Sequence, residues 1–131
     1  MSLFKKLDSK DVLVCSNLTI ALFWGALWGL SEATLGQILH IVRIPGLAGF
    51  VMFPIGIFFM LKAFQDSKNL GVIFSTAVVA ATIKLSDLLL PGTYTLDVLR
   101  PAIAIITESL AVIFLLSIVE SRVFQRHLIQ R

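Results

Sequence analysis

Four apolar segments alternate with short polar breaks along the chain. They cover approximately residues 17–42, 45–61, 70–90 and 101–119, and the apolar character of the first extends back to residue 12. Each segment is close to the ~20 residues that a helix needs to cross a hydrocarbon core of ~30 Å. The pattern predicts an all-α, polytopic integral membrane protein, with about four transmembrane helices in one domain spanning the chain.

Glycine and proline mark the breaks between these segments. Pro-Gly pairs at residues 45–46 and 91–92 follow the first and the third segments, and a polar turn at residues 65–69 follows the second. Pro101 suits the first turn of the fourth helix, where its missing N–H is not needed.

The second segment is itself interrupted by residues that disfavour a regular helix. These are Pro45, Gly46, Gly49, Pro54 and Gly56. A proline inside a helix frees a carbonyl group and bends the backbone. The interruptions indicate either a broken helix that lines a cavity, as in transporter binding sites, or a plain proline kink.

Charge is scarce and unevenly distributed. Charged residues make up 15% of the 131 residues and hydrophobic residues 57%, whereas a soluble domain is about 25% charged. Eight basic residues lie on the side of the predicted bundle that holds both termini, and two lie on the other side. The eight are Lys5, Lys6, Lys10, Lys62, Lys68, Arg122, Arg126 and Arg131. This bias predicts cytoplasmic termini in a multi-pass protein of a prokaryotic plasma (inner) membrane.

Six ionisable residues lie within or beside the apolar segments: Glu32, Arg43, Lys84, Asp87, Arg100 and Glu108. A charge in hydrocarbon costs roughly 3 kcal/mol or more, so each needs a partner, a wet cavity or a function. All six fall between the midplane and the predicted outer face, and acids and bases balance. This arrangement predicts an outward-facing polar pocket for a small polar or zwitterionic solute, and it disfavours a bulk ion pore. The predicted solute-binding residues are Glu32, His40, Lys84, Asp87, Arg100 and Glu108.

A simpler interpretation exists for each of these residues. Lys84 and Asp87 stand three residues apart on one helix face, so they either pair locally or reach Glu32 or Glu108 on another helix. Glu108 either forms a salt bridge with Arg100 or Lys84, or binds a ligand or proton. His40, at the mouth, is either a titrating group or an interfacial histidine with satisfied hydrogen bonds.

A stripe of small residues shares one face of the first helix with Glu32. It comprises Gly25, Gly29, Ala33 and Gly36. Small side chains allow another backbone to approach closely. The stripe predicts either a tight contact inside the chain or a docking surface for another subunit.

Enzymatic motifs are absent from the sequence. It contains no phosphate-binding loop, no zinc-ligand spacing and no nucleophile elbow. The basic residues are not interleaved with aromatic residues, which argues against nucleic acid as a partner. We therefore expect no catalytic residues, no metal and no cofactor.

The chain resembles the membrane-embedded substrate-binding (S) components of energy-coupling factor transporters. The resemblance rests on the small residues Gly25, Gly29 and Ala33 and on the outward polar cluster. That resemblance implies binding of a solute from the outer face and docking on a transmembrane subunit coupled to ATPases. The family usually has six helices, whereas four are visible here. The chain also resembles small multidrug-resistance transporters, which carry one membrane-embedded glutamate on the first helix. Glu32 would take that role, although Lys84, Asp87 and Glu108 depart from the family's apolar pattern.

Three alternative functions are consistent with this sequence. The first is a solute-binding transporter component that acts with an ATPase-coupled transmembrane subunit or as a homo-oligomer in the lipid bilayer. The second is a structural or assembly protein whose buried charges only pair its helices. The third is a small proton-coupled multidrug-type transporter that uses Glu32.

Overall fold

The computed structural model describes residues 2–130, with side chains from Ser9 onward. The side chains of Lys5, Lys6 and Arg131, which contribute to the predicted orientation, lie outside this description. The described chain is helical, without a β-strand. Its helices are α1 (Ser2–Ile41), α2 (Leu47–Ser67), α3 (Leu70–Leu85), a short 3-10 helix (Ser86–Leu89) and α4 (Thr95–Ile129).

Four helical segments are long and apolar enough to cross a membrane, which confirms the predicted class of an all-α, multi-pass protein. They run over residues Ser9–Ile41, Leu47–Ser67, Leu70–Leu89 and Thr95–Ile129. The third combines α3 with the short 3-10 helix that follows it.

Several predicted helix boundaries are wrong. α2 begins at Leu47 and continues to Ser67, so it includes most of the predicted turn at residues 65–69. α1 and α4 extend toward the termini beyond their predicted limits, because no glycine or proline interrupts residues 2–24 or 102–130.

Pro101 lies inside α4 and not in its first turn, contrary to the prediction. The helix begins six residues earlier, at Thr95. Proline has no N–H to donate to the carbonyl group four residues before it, which here belongs to Asp97. Because Asp97 is exposed in the first turn of the helix, water can satisfy that carbonyl group at little cost.

α2 continues as one helix through Pro54. Of the two alternatives for this segment, the structure therefore contains no broken helix. Pro54 lies on the exposed side of α2, where its ring does not interrupt the core. Gly46 precedes the helix with a φ of 82°, a left-handed conformation that glycine adopts without a steric penalty.

α3 is the central helix of the bundle. It packs against α1, α2 and α4, whereas α1 and α4 barely meet. Trp28 of α1, Met60 of α2, Ile73 of α3 and Ile105 of α4 belong to one buried cluster. At the edge of this core, the Trp24 indole N–H donates to Asp66 Oδ2 at 2.7 Å, which joins α1 to the last turn of α2.

Glycine allows α1 to lie directly on α3. A Cβ atom at Gly25 would stand 2.7 Å from the Thr76 carbonyl oxygen and from Val79 Cβ. At Gly29 it would stand 2.8 Å from Ile83 Cβ. Real Cβ atoms do not approach other atoms this closely, so these two positions of the small-residue stripe face α3 within the chain. Docking of another subunit on the stripe stays a prediction.

The bundle has two unlike ends. The connection end carries the α1–α2 and α3–α4 connections, at residues 42–46 and 90–94. At the terminal end, where α1 begins and α4 ends, all side chains of residues 9–16 and 119–130 are exposed. α4 has 35 residues, about 52 Å at ~1.5 Å per residue, so it is longer than a hydrocarbon core of ~30 Å.

We expect Gly25→Ala and Gly29→Ala each to lower the free energy of unfolding by about 1–3 kcal/mol, because the added methyl group overpacks the α1–α3 contact. Gly49→Ala is the matched control, since nothing lies within 4 Å of a Cβ atom at that position. Thermal unfolding of the purified variants in detergent measures the effect. Equal melting temperatures for Gly25→Ala and Gly49→Ala would contradict the packing described here.

Candidate functional site

A cavity of about 980 Å³ lies at the connection end between α1, α2 and α4. No residue of α3 lines it. α3 lies between α1 and α4 and ends at Leu85, and α1 and α4 do not pack against each other beyond that residue. The polar residues on the wall of the cavity are Glu32, His40, Arg43, Asp97, Arg100, Thr107 and Glu108.

The remaining wall of the cavity is mainly apolar and built from small or flexible side chains. α2 contributes Gly49 and Met52, and α4 contributes Ala104, Ile105 and Ala111. Glycine and alanine at these positions leave space between the helices that larger residues would fill. Apolar walls with a few convergent polar groups are typical of sites for small molecules.

Glu108 reaches the deep part of the cavity. Its Oε1 atom is buried and has no hydrogen-bond partner among the described residues. Gly56 on α2 makes room for this carboxylate, because a Cβ atom there would lie 2.7 Å from Glu108 Oε1. The same Cβ position is 2.8 Å from Trp28 Cζ2. Glu108 therefore sits over the α2 backbone and beside the Trp28 indole ring.

Glu32 is the second deep carboxylate, with 7% of its surface exposed. Its charged neighbours are Lys84, which attracts it, and Glu108, which repels it. The Trp28 indole also lies near it. Gly36 leaves space beside it, since a Cβ atom there would lie 3.7 Å from Glu32 Oε2 and 3.9 Å from Lys84 Nζ. The buried Trp28 N–H lies near the Glu32 carboxylate, but it lacks a hydrogen bond of standard geometry.

Lys84 and Asp87 form a local ion pair away from the cavity wall. Lys84 Nζ lies 2.8 Å from Asp87 Oδ2, and both side chains are buried. The Thr93 hydroxyl lies 3.1 Å from the Asp87 carbonyl oxygen and 2.6 Å from that of Leu90, so it joins the α3–α4 connection to the short 3-10 helix. Of the predicted solute-binding residues, the structure thus brings four to the cavity: Glu32, His40, Arg100 and Glu108.

Positive charge is concentrated at the mouth of the cavity. Arg43 and Arg100 are exposed, and neither forms an ion pair with a described residue. The predicted salt bridge between Glu108 and either Arg100 or Lys84 is therefore absent among the described residues. Arg43 lies two residues after the end of α1 in a left-handed conformation, with a φ of 54°, and its N–H donates to the His40 carbonyl oxygen at 3.2 Å.

Within the described bundle, the numbers of acidic and basic side chains are not equal at each depth. Glu32, Asp87 and Glu108 supply three buried or half-buried carboxylates toward the connection end, where Lys84 is the one buried cation among the described residues. The half-buried Lys62 lies toward the other end of α2. The sequence alone suggested balance because it counted Arg43 and Arg100 with the charges toward the connection end. Arg100 precedes Glu108 by eight residues, about 12 Å of backbone along the helix, so the two residues are anchored at different depths.

Two residues of the site escaped the sequence analysis. The sequence analysis considered Gly56 only as an interruption of the second segment, and it did not consider Trp28. The spacing of Trp28 four residues before Glu32 places both on one helix face, and that was the available signal. The proximity of Gly56 to Glu108 depends on how α2 meets α4, which no local pattern encodes.

The chain matches no family model, no curated protein and no solved structure. Its site is therefore interpreted from its own residues.

We expect Lys84→Met to lower the free energy of unfolding by about 3–5 kcal/mol, because it leaves a buried carboxylate without its partner. Asp87→Asn should cost less, since Lys84 then still has Glu32 as an anionic neighbour. Asp97→Asn, at an exposed position of α4, is the control and should change little. Thermal unfolding in detergent measures the stability of each variant. A larger loss of stability for Asp87→Asn than for Lys84→Met would contradict the interpretation that Lys84 interacts with both Asp87 and Glu32.

Proposed function

We propose that this protein is a solute-binding component of a membrane transporter, and that it takes a small polar solute into the cavity at the connection end. The observation that carries the proposal is the carboxylate of Glu108, a residue that lines that cavity and whose buried Oε1 atom has no hydrogen-bond partner among the described residues. A buried charged oxygen without a partner is costly. A polar or cationic group of a solute that binds this carboxylate from the cavity would offset that cost.

The size and character of the cavity support the same function. Sites for small molecules commonly have volumes of about 300–1,000 Å³ and apolar walls with a few polar groups. The cavity, at about 980 Å³, is at the upper end of that range. Four of the six residues that the sequence analysis selected for solute binding line it.

The rival function, in which buried charges only pair the helices, fits one part of the structure. The Lys84–Asp87 pair has that character, because it is local and lies away from the cavity. Glu32 and Glu108 do not, since two carboxylates repel each other across the space between α1 and α4. Opposed like charges stabilise no helix contact, and they favour a site that receives a partner charge.

The multidrug-type alternative has weaker support. Glu32 lies in the cavity as that function requires. The buried Lys84–Asp87 pair and the second glutamate, Glu108, add charges that a site for lipophilic cations does not need.

We further propose that both termini are cytoplasmic, in a prokaryotic plasma membrane, so that the cavity opens outward. The bias of basic residues to the terminal end supports this orientation. The sequence has no phosphate-binding loop, so coupling to ATP would require a partner such as an ATPase-coupled transmembrane subunit. The alternative partner is a second copy of this chain. At the terminal end, α4 presents an exposed surface to the proposed cytoplasmic side, where such a partner would meet it.

Cysteine labelling in intact cells tests this orientation. In a Cys15→Ser background, Tyr94→Cys marks the connection end and Gln125→Cys marks the terminal end, and both positions are exposed. We expect a membrane-impermeant maleimide to label the first variant only, and to label both after the cells are permeabilised. The reverse pattern in intact cells would place the cavity on the cytoplasmic side.

Thermal stabilisation by solutes tests the binding function. The purified protein would be heated in detergent with amino acids, amines, carboxylic acids, vitamins and nucleosides. We expect at least one class to raise the melting temperature, and expect Glu32→Gln and Glu108→Gln to abolish that rise while they remain folded, because each removes a charge from the cavity wall. Glu120→Gln, exposed on α4, is the control and should retain the response.

The structural rival predicts a different result for the same proteins. No solute would stabilise the wild-type protein, and both glutamine variants would aggregate or be degraded in cells.

A further inference from the structure

The deep end of the cavity is acidic, and a cation would compensate its charge. Glu32 and Glu108 both line it, and their carboxylates interact with each other. The nearest cationic side chain, Lys84, already bonds to Asp87 at 2.8 Å. The Lys84 ammonium group compensates Asp87 and part of the Glu32 charge but not Glu108. Uncompensated charge is most costly in a region of low dielectric constant.

The mouth of the same cavity could bind an anion. Arg43 and Arg100 line it, and neither has an ion-pair partner among the described residues. Asp97 is the acidic side chain there, and one carboxylate cannot neutralise two guanidinium groups. Guanidinium groups are well suited to a carboxylate or a phosphate, which they bind through two parallel hydrogen bonds.

Apolar residues separate these two charged regions. Met52 of α2 and Ala104 and Ile105 of α4 line the wall between them. The eight residues from Arg100 to Glu108 correspond to about 12 Å along α4, which is long for a compact zwitterion such as a free α-amino acid. A matching ligand has an apolar spacer between its charges.

We propose that the solute is an extended zwitterion, with an ammonium group bound between Glu32 and Glu108, an apolar spacer along α4, and a carboxylate or phosphate bound by Arg43 and Arg100. The proposal rests on the proposed function and adds the charge, the length and the orientation of the ligand. The cationic end enters first, because the carboxylates lie deepest.

ω-Amino acids of graded length test each part of this proposal. The probes are 4-aminobutanoate, 8-aminooctanoate, and two analogues that each lack one charge, heptylamine and octanoate. The protein carries Trp24→Phe, which leaves Trp28 as its one tryptophan. Because the Trp28 ring lies beside Glu108, its fluorescence reports binding at the deep end. Titrations are done in nanodiscs with and without phosphatidylethanolamine.

We expect 8-aminooctanoate to bind at least ten-fold more tightly than any of the other three probes, since each charge-assisted contact contributes about that much. Arg100→Gln should lower the affinity for 8-aminooctanoate toward that of heptylamine, because Arg43 alone remains for the carboxylate, and it should leave heptylamine binding unchanged. Glu108→Gln should weaken both ligands. Arg126→Gln, exposed on α4 at the terminal end, is the control and should change neither.

The possible contrary results separate this proposal from the proposed function. Equal affinity for heptylamine and 8-aminooctanoate would overturn the anionic end, tightest binding of octanoate would overturn the cationic end, and equal affinity for 4-aminobutanoate would overturn the spacing. Competition by phosphatidylethanolamine would assign the site to a lipid headgroup and overturn an extended solute. If a different solute binds and requires Glu108, only the zwitterion proposal fails; if nothing binds, both proposals fail.

Discussion

The electrostatics of this bundle depend on Lys84, the one buried cation among the described residues. Its ammonium group bonds to Asp87 and also lies near the Glu32 carboxylate. In a region of low dielectric constant, a charge is tolerated when an opposite charge is within reach. Lys84 supplies the opposite charge for Asp87 and partly for Glu32, but Glu108 keeps a buried oxygen that no described residue contacts by a hydrogen bond. The structure places Glu108 on the wall of a cavity.

Helix packing decides where this charge is located. Gly25 and Gly29 allow α1 to approach the α3 backbone closely, and this contact fixes the height of Trp28 in the bundle. On the opposite side, Gly56 of α2 leaves room for both the Trp28 ring and the Glu108 carboxylate. Since α3 ends at Leu85 while α1 continues toward the connection end, α1 and α4 remain apart there. Glycine contacts in the middle of the bundle and a short central helix thus produce the cavity together.

Much of this fold could be predicted from the sequence, because membrane-spanning helices have a strong local signal. The number of helices and their class follow from apolar length, and the local Lys84–Asp87 pair follows from a spacing of three residues. The ends of α4 could not be predicted, since Pro101 is compatible with either the first turn of a helix or a later position whose freed carbonyl is solvated. The separation of charges by depth also escaped prediction. It depends on the packing of Glu108 against Gly56 of another helix, whereas the sequence pattern gave only its distance along its own helix.

The two glutamates of the cavity distinguish a binding site from a structural contact. An ion pair that joins helices consists of opposite charges in contact, as Lys84 and Asp87 do, and apolar residues of similar size can often replace it without loss of stability. Glu32 and Glu108 are both acidic and line an open space, so a proton or a cation must compensate the charge that Lys84 does not. A site that receives such a positive charge has a physical reason to keep both carboxylates, and a simple helix contact does not. The unpaired Arg43 and Arg100 at the mouth extend the same reasoning to the opposite end of a solute that carries the positive charge.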